Sequence, residues 1–377
     1  MRRFLLALAA IGLVVGAGVL TFTIMRSLDE GDARVANGSQ PSTPDIKATR
    51  ILAGLEHPWD IDFLPGGTML FTERSGMLSR LTDGEKVVIA TITDVEAAGE
   101  AGLMGLAVDP DFEQNSYLYA CYNSVSGDVR VSRWILEEGL GQQQDIVTGI
   151  PAALSGRHSG CQLAFGPDGN LWIGTGDSAD ESQPQDRSEL GGKILRVTPD
   201  GQPAADNPDG PDKRVYSYGH RNTQALAFYE SPRSGSYGLS VEHGSYRDDE
   251  INELKPGNFG WAPGAGYDDS VPMTDLAKFP DAVPSVWSSG STTIAPSGAA
   301  FLQGKEWGRL EGWLAMSVLK NQKLVLLNIQ NGSVSGERSF FESQYGRLRA
   351  ATSASDGSLY ISTDNGSDDA IYRVTAK

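Results

Sequence analysis

Residues 156–177 read GRHSGCQLAFGPDGNLWIGTGD, and this stretch decides the fold. Leu163 and Phe165 alternate with small or polar neighbours, as do Leu171 and Ile173, which is the period-two signature of half-buried strands. Between them lies Pro167-Asp168-Gly169. Proline presets φ, aspartate bonds its own backbone and glycine accepts positive φ, so the chain reverses there. The segment is predicted as a hairpin with His158 at its mouth and Asp177 where the second strand runs out. Histidine has the ordinary pKa nearest neutrality, so at a strand mouth it is a candidate general base. The plainer alternative is an imidazole satisfied by a backbone carbonyl.

The same phrase recurs outward from this hairpin. LPGGTMLFTERSGMLSRL (64–81) and SDGSLYISTDNGSDDAIYRV (355–374) repeat the sequence turn, alternating strand, polar turn, strand, and VDPDFEQNSYLYACYN (108–123) is a looser copy. Short strands at regular spacing predict an all-β sandwich, barrel or propeller, and self-similarity at wide intervals favours the propeller. A body of about 325 residues divided by six gives ~50–55 per blade, close to known repeat lengths. Six blades are expected, with seven the alternative. The last phrase ends at Val374, which allows one blade to be closed by strands from both ends of the body.

Composition narrows the function. The 377 residues are 40% hydrophobic with 45 Gly and 19 Pro, so the chain is globular and rich in turns. A net charge of −17 argues against nucleic acid, whose phosphates need a basic face. Cys121 and Cys161 are the two cysteines. They could pair if neighbouring strands meet, or remain buried thiols, and two sulfurs alone build no metal site.

At the amino terminus, basic Arg2 and Arg3 precede an apolar run from Phe4 to Met25, and acidic residues follow it. Residues 1–26 are expected to be a signal peptide or a transmembrane anchor, with length favouring the anchor. The charge asymmetry favours a cytoplasmic start and an extracytoplasmic body, so the membrane is met only through this segment. Residues 27–49 lack periodic hydrophobicity and read as a flexible tether, leaving 50–377 as the propeller.

Propellers carry function in the loops at one mouth of the central channel. Candidates at strand ends, in chain order, are Glu100, His158, Asp177, Arg221, Asn222, Gly244, Ser245, Asp249, Thr293, Lys320, Arg347 and Arg349. Taken singly, most such charges are solvated surface groups.

As a set, the phrases HPWDIDFLPGG, GLMGLAVDPDF, LAFGPDGNLWIGTGD, GGKILRVTPDG, YGHRNTQALAF, DDEINELKPGNFGW and GRLRAA resemble the glucose/sorbosone dehydrogenase family, over about Leu52 to Val374. The resemblance implies a six-bladed propeller that binds pyrroloquinoline quinone (PQQ) and oxidises an aldose at C1 to a lactone. It implies that electrons then pass to a quinone, a cytochrome or, in vitro, a dye. It places the catalytic base on His158 and the nearby acid on Asp177. It places cofactor contacts on Arg221, Asn222, Thr293, Lys320, Arg347 and Arg349, and a Ca²⁺ on the backbone carbonyls of Gly244 and Ser245. Substrate contacts fall to Glu100 and Gln185. The chemistry agrees, because a tricarboxylate approaching an acidic protein needs converging cations, and a hard divalent ion seeks oxygen ligands. Three departures stand out. Arg157 replaces an acid of the glucose-oxidising members, Ser291 replaces an aromatic that covers their cofactor, and the loop 178–190 is shorter, implying a more open pocket. The competing expectations are a non-catalytic propeller that binds a sugar or protein, and a Ca²⁺-dependent lactonase or esterase.

Overall fold

The computed structural model describes residues 44–231 and 235–377. The apolar segment 1–26 and residues 27–43 of the expected tether lie outside the described residues. The tether is shorter than expected, because Ile46–Arg50 already belong to a strand. That strand has a partner at the other end of the chain, which the local sequence does not reveal.

Six sheets form the six blades. The first blade holds β2 (Pro58–Phe63), β3 (Met69–Glu73), β4 (Met77–Thr82) and β5 (Glu85–Thr91), and the second holds β6 (Leu103–Val108), β7 (Tyr117–Asn123), β8 (Asp128–Ile135) and β9 (Gln144–Pro151). The third is β10 (Gly160–Phe165), β11 (Leu171–Thr175), β12 (Lys193–Val197) and β13 (Val215–Tyr218), extended by the parallel β17 (Gly257–Asn258). The fourth contains β14 (Thr223–Ser231), β15 (Gly235–Glu242), β16 (Glu250–Glu253) and β18 (Trp287–Ser288). The fifth contains β19 (Pro296–Phe301), β20 (Leu314–Val318), β21 (Lys323–Gln330) and β22 (Ser333–Phe340). The sixth runs β23 (Leu348–Ser353), β24 (Leu359–Thr363), β25 (Ser367–Ala376) and finally β1 (Ile46–Glu56), so the expected closure by both ends is present.

The predicted hairpin is β10 and β11, turned by a bond from Gly169 N–H to Gly166 C=O. It departs from expectation in one respect. All five residues of β11 are buried, not just alternate ones. A middle strand of a blade is covered by the neighbouring blades on both faces, and Trp172 duly packs edge-on against Phe228 of the fourth blade. The core therefore lies between blades. Between the second and third it gathers Tyr119, Val131, Leu163, Ile173 and Leu195. Cys121 of β7 and Cys161 of β10 are joined by a disulfide across that boundary, with Cα atoms 5.8 Å apart.

Candidate active site

The hairpin register brings the chemistry together. Gly160 pairs with Thr175, so the residues just beyond, His158 and Asp177, meet at the open end of the hairpin. His158 is held at φ 51°, a left-handed backbone that costs a non-glycine residue about 1 kcal/mol or more and is found where surroundings enforce it. Gly176 is one enforcer. A Cβ there would lie 1.8 Å from the His158 carbonyl oxygen, so only glycine lets the two segments touch.

Asp177 is fully buried and surrounded by donors. Oδ1 faces His158 Nδ1 at 2.7 Å and accepts from Ala179 N–H at 2.9 Å. Oδ2 accepts from Trp261 Nε1–H at 2.8 Å and from the Tyr267 hydroxyl at 2.6 Å. With Tyr267 donating to Asp177, the network assigns the imidazole proton to Nδ1 and leaves Nε2 unprotonated, an acceptor. Tyr267 lies 3.0 Å from the same Nδ1, and burial pushes its phenol well above the usual range, so it stays a donor. On the Nε2 side stands Arg157, with Nη2 3.5 Å away.

Nε2 opens on a cavity of about 320 Å³ lined by Glu100, Arg157, Arg221, Asn222, Gly244, Ser245 and Thr293, among others. Glu100 braces the wall. Its Oε1 accepts from Ser159 N–H at 2.6 Å and from Asn222 Nδ2 at 3.0 Å, while Asn222 Oδ1 accepts from Gly160 N–H. Arg221 is buried, gives Nη1–H to His243 C=O at 3.2 Å and pairs with Asp269 at 3.4 Å. Its Nε has no partner. Lys320 reaches Thr293 Oγ1 at 3.0 Å and so stands at the same wall. A second histidine, His243, is unsuited to act as a base. Burial, with Arg349 and Arg221 nearby, pushes its pKa down to about 3, and its Nε2 is bonded to Pro296 C=O at 2.7 Å.

The loop 244–249 is built around Asp249. Its carboxylate accepts from the backbone N–H groups of Gly244, Ile294 and Ala295, and burial pushes its pKa up against those bonds. With that side chain spent, the backbone carbonyls of Gly244 and Ser245, which line the cavity, are oxygens this loop can offer a cation.

Three sequence expectations need correction or refinement. Gln185 does not reach the cavity. Its amide is paired at both ends with Asn258, and its Nε2–H also bonds Trp261 C=O, so it braces the Trp261 strap instead. Arg349 is not an open fork. It lies buried over the Trp59 ring at 3.9 Å, gives Nη1–H to Gln224 and Ser297, and pairs with Asp364 at 2.9 Å. Arg347 is half-exposed and shares Asp364 at 3.9 Å. Two guanidinium groups facing one carboxylate leave positive charge in surplus. Trp261 and Tyr267, which sequence reasoning missed as site residues, come from the irregular strap 259–286. Nothing in their local pattern announces that they close on Asp177.

The chain is similar to known proteins in both sequence and fold. The sequence profile described as Glucose / Sorbosone dehydrogenase matches residues 55–373. The structure of a PQQ-bound aldose sugar dehydrogenase from Streptomyces coelicolor is 33% identical, covers 89% of this chain and all of that one, and superposes with a TM-score of 0.76. An aldose sugar dehydrogenase of Escherichia coli is 29% identical over 335 residues, 83% of this chain and 88% of its own length. Quinoprotein glucose dehydrogenase B of Acinetobacter calcoaceticus is 30% identical over 258 residues, 58% and 53% of the two chains.

Proposed function

The chain belongs to the glucose/sorbosone dehydrogenase family, and from that premise we propose that it is a PQQ-dependent aldose dehydrogenase with His158 as general base. The observation that carries the reading is the unprotonated Nε2 of His158, backed by Asp177 and facing a cavity whose wall holds Arg221 and, through Thr293, Lys320.

The residues present fit the cofactor. The unpartnered Nε of buried Arg221 and the ammonium of Lys320 are donors suited to carboxylates, and Arg347 and Arg349, two cations over the single carboxylate of Asp364, add positive charge. Gly244 and Ser245 would supply carbonyl oxygens to a Ca²⁺, an ion that prefers such ligands. When bound, PQQ supplies an ortho-quinone able to accept hydride. The protein's share is to take the proton of the sugar's C1 hydroxyl on His158 Nε2, with Asp177 steadying the imidazolium. Asn222 and Glu100 keep the wall in place around the substrate. Electrons would then leave to a quinone or cytochrome acceptor. The apolar segment 1–26 supports an extracytoplasmic body, tethered or secreted.

The test is reconstitution. Residues 44–377 incubated with PQQ and Ca²⁺ are expected to gain quinone absorbance and to reduce a dye when given aldoses. A folded protein that binds no PQQ at micromolar concentration would refute the reading, and hydrolysis of lactones without PQQ would replace it. Lys320→Ala is expected to weaken PQQ binding, and an unaltered affinity would remove Lys320 from the cofactor site.

A further inference from the structure

The carboxylates around the cavity are committed. Asp177 is bound by four donors, Asp249 by three backbone amides, Glu100 by Ser159 and Asn222, and Asp269 by Arg221. Arg157 is the opposite case. It is exposed, it lines the cavity, and among the described residues it pairs with no carboxylate. Its guanidinium lies 5.7 Å from the Tyr267 ring centroid, and Nη2 is 3.5 Å from His158 Nε2, the atom that must face the sugar hydroxyl. Any sugar presented to Nε2 therefore lies beside an uncompensated, fork-shaped donor. On a chain of net charge −17 such a cation is conspicuous. Neutral hydroxyls do not need it, whereas a carboxylate or phosphate matches its geometry.

We propose that the site selects anionic aldoses, meaning sugars that carry a carboxylate or phosphate, through Arg157. This inference rests on the aldose dehydrogenase reading above. It adds the substrate class, and it assigns Arg157 to the substrate instead of the cofactor.

The experiment uses residues 44–377, wild type, Arg157→Met and Arg157→Lys. PQQ affinity is measured first by absorbance. Dye reduction is then compared for glucose, glucuronate and glucose 6-phosphate, and calorimetry follows binding of the same three sugars to the unloaded protein. Wild type is expected to favour at least one anionic sugar in kcat/KM by tenfold or more, the size of one charge-assisted hydrogen bond. The two acids separate carboxylate from phosphate recognition. The preference should shrink with added salt, fall at least tenfold in Arg157→Met and be partly kept by Arg157→Lys. The unloaded wild type should bind the preferred acid more tightly than glucose.

Several results would overturn the proposal. One is a wild type that favours glucose, or an acid that binds the unloaded protein no more tightly than glucose. Another is a ratio unchanged in Arg157→Met, even if its pH profile moves, since that would make Arg157 a positioning residue for His158. A third is loss of PQQ affinity in Arg157→Met, which would assign the guanidinium to the cofactor. Failure of the underlying reading is separate and visible beforehand, as a wild type that takes up no PQQ or oxidises none of the sugars.

Discussion

Replacing Asp177 by asparagine changes one oxygen to an NH₂ group and little else in shape. All four of its contacts are donors, so the new amide nitrogen must face two of them. Placed at Oδ2, it would oppose Trp261 Nε1–H, and Trp261 is fully buried with no water to turn to. An orphaned buried donor costs about 1–3 kcal/mol. Placed at Oδ1, it opposes Ala179 N–H, which is half-exposed and can find water, and His158, which can swap its proton to Nε2. The second arrangement is the cheaper one. It leaves Trp261 and Tyr267 on a neutral carbonyl instead of a carboxylate, for a stability loss of about 1–3 kcal/mol. It also places a hydrogen where the base needs a lone pair. A wrong-tautomer histidine in a comparable triad lowers turnover by about 10⁴. Asp177→Asn is therefore expected to lose roughly 10³–10⁴ in kcat by dye reduction, while urea unfolding shows a folded, modestly weakened protein. Turnover within tenfold of wild type would refute both the tautomer assignment and the role of Asp177.

Gly176→Ala is expected to lose activity and several kcal/mol of stability, because its methyl would collide with the His158 carbonyl; a urea midpoint equal to wild type would contradict this. Reducing the Cys121–Cys161 bridge, or the Cys121→Ser/Cys161→Ser pair, should cost about 2–4 kcal/mol, since the bond closes a 40-residue separation between two blades. Melting that is indifferent to reductant would oppose it. Burial raises Asp60 to about 7 and Asp62 to about 6. The folded state therefore holds protons that the unfolded chain releases near pH 4, and these groups make stability fall as pH rises from about 4 to about 7. Urea unfolding across that range should show the slope, and the Asp60→Asn/Asp62→Asn variant should flatten it. A slope that survives in the variant would place its origin elsewhere.

The propeller was legible in the sequence because each strand pair carries its own turn, so local alternation repeats around the ring. What alternation missed is the covering of middle strands. Residues 171–175 are Leu-Trp-Ile-Gly-Thr, and small Gly174 and Thr175 are buried just as fully as the apolar three. His158 and Asp177 could be paired in advance because one hairpin spans them. Trp261 and Tyr267 could not, since 80 or more residues separate them from Asp177 and their strap has no periodicity. The cysteine pair stayed open for the same reason, as only the stacking of the second blade on the third brings β7 against β10. Arg349 is a strand-end cation in the sequence, but the competing carboxylate of Asp364 lies 15 residues downstream on another strand end, and a charge count cannot see such a pairing.

The sixth blade joins β1 to β25, the first and last of the described strands. Ile46 sits opposite Ala376, and Lys377 bonds back to Asp45 through both its backbone and its side chain. During synthesis, β1 thus waits for β25 until the other described strands have been made. The termini of the finished body are also next-door neighbours, so a short linker could join them and new ends could be opened in a turn between other blades. Such a permuted chain would no longer hold the β1–β25 seam back until the other blades are made, and its folding yield relative to the natural order would measure what that delay costs.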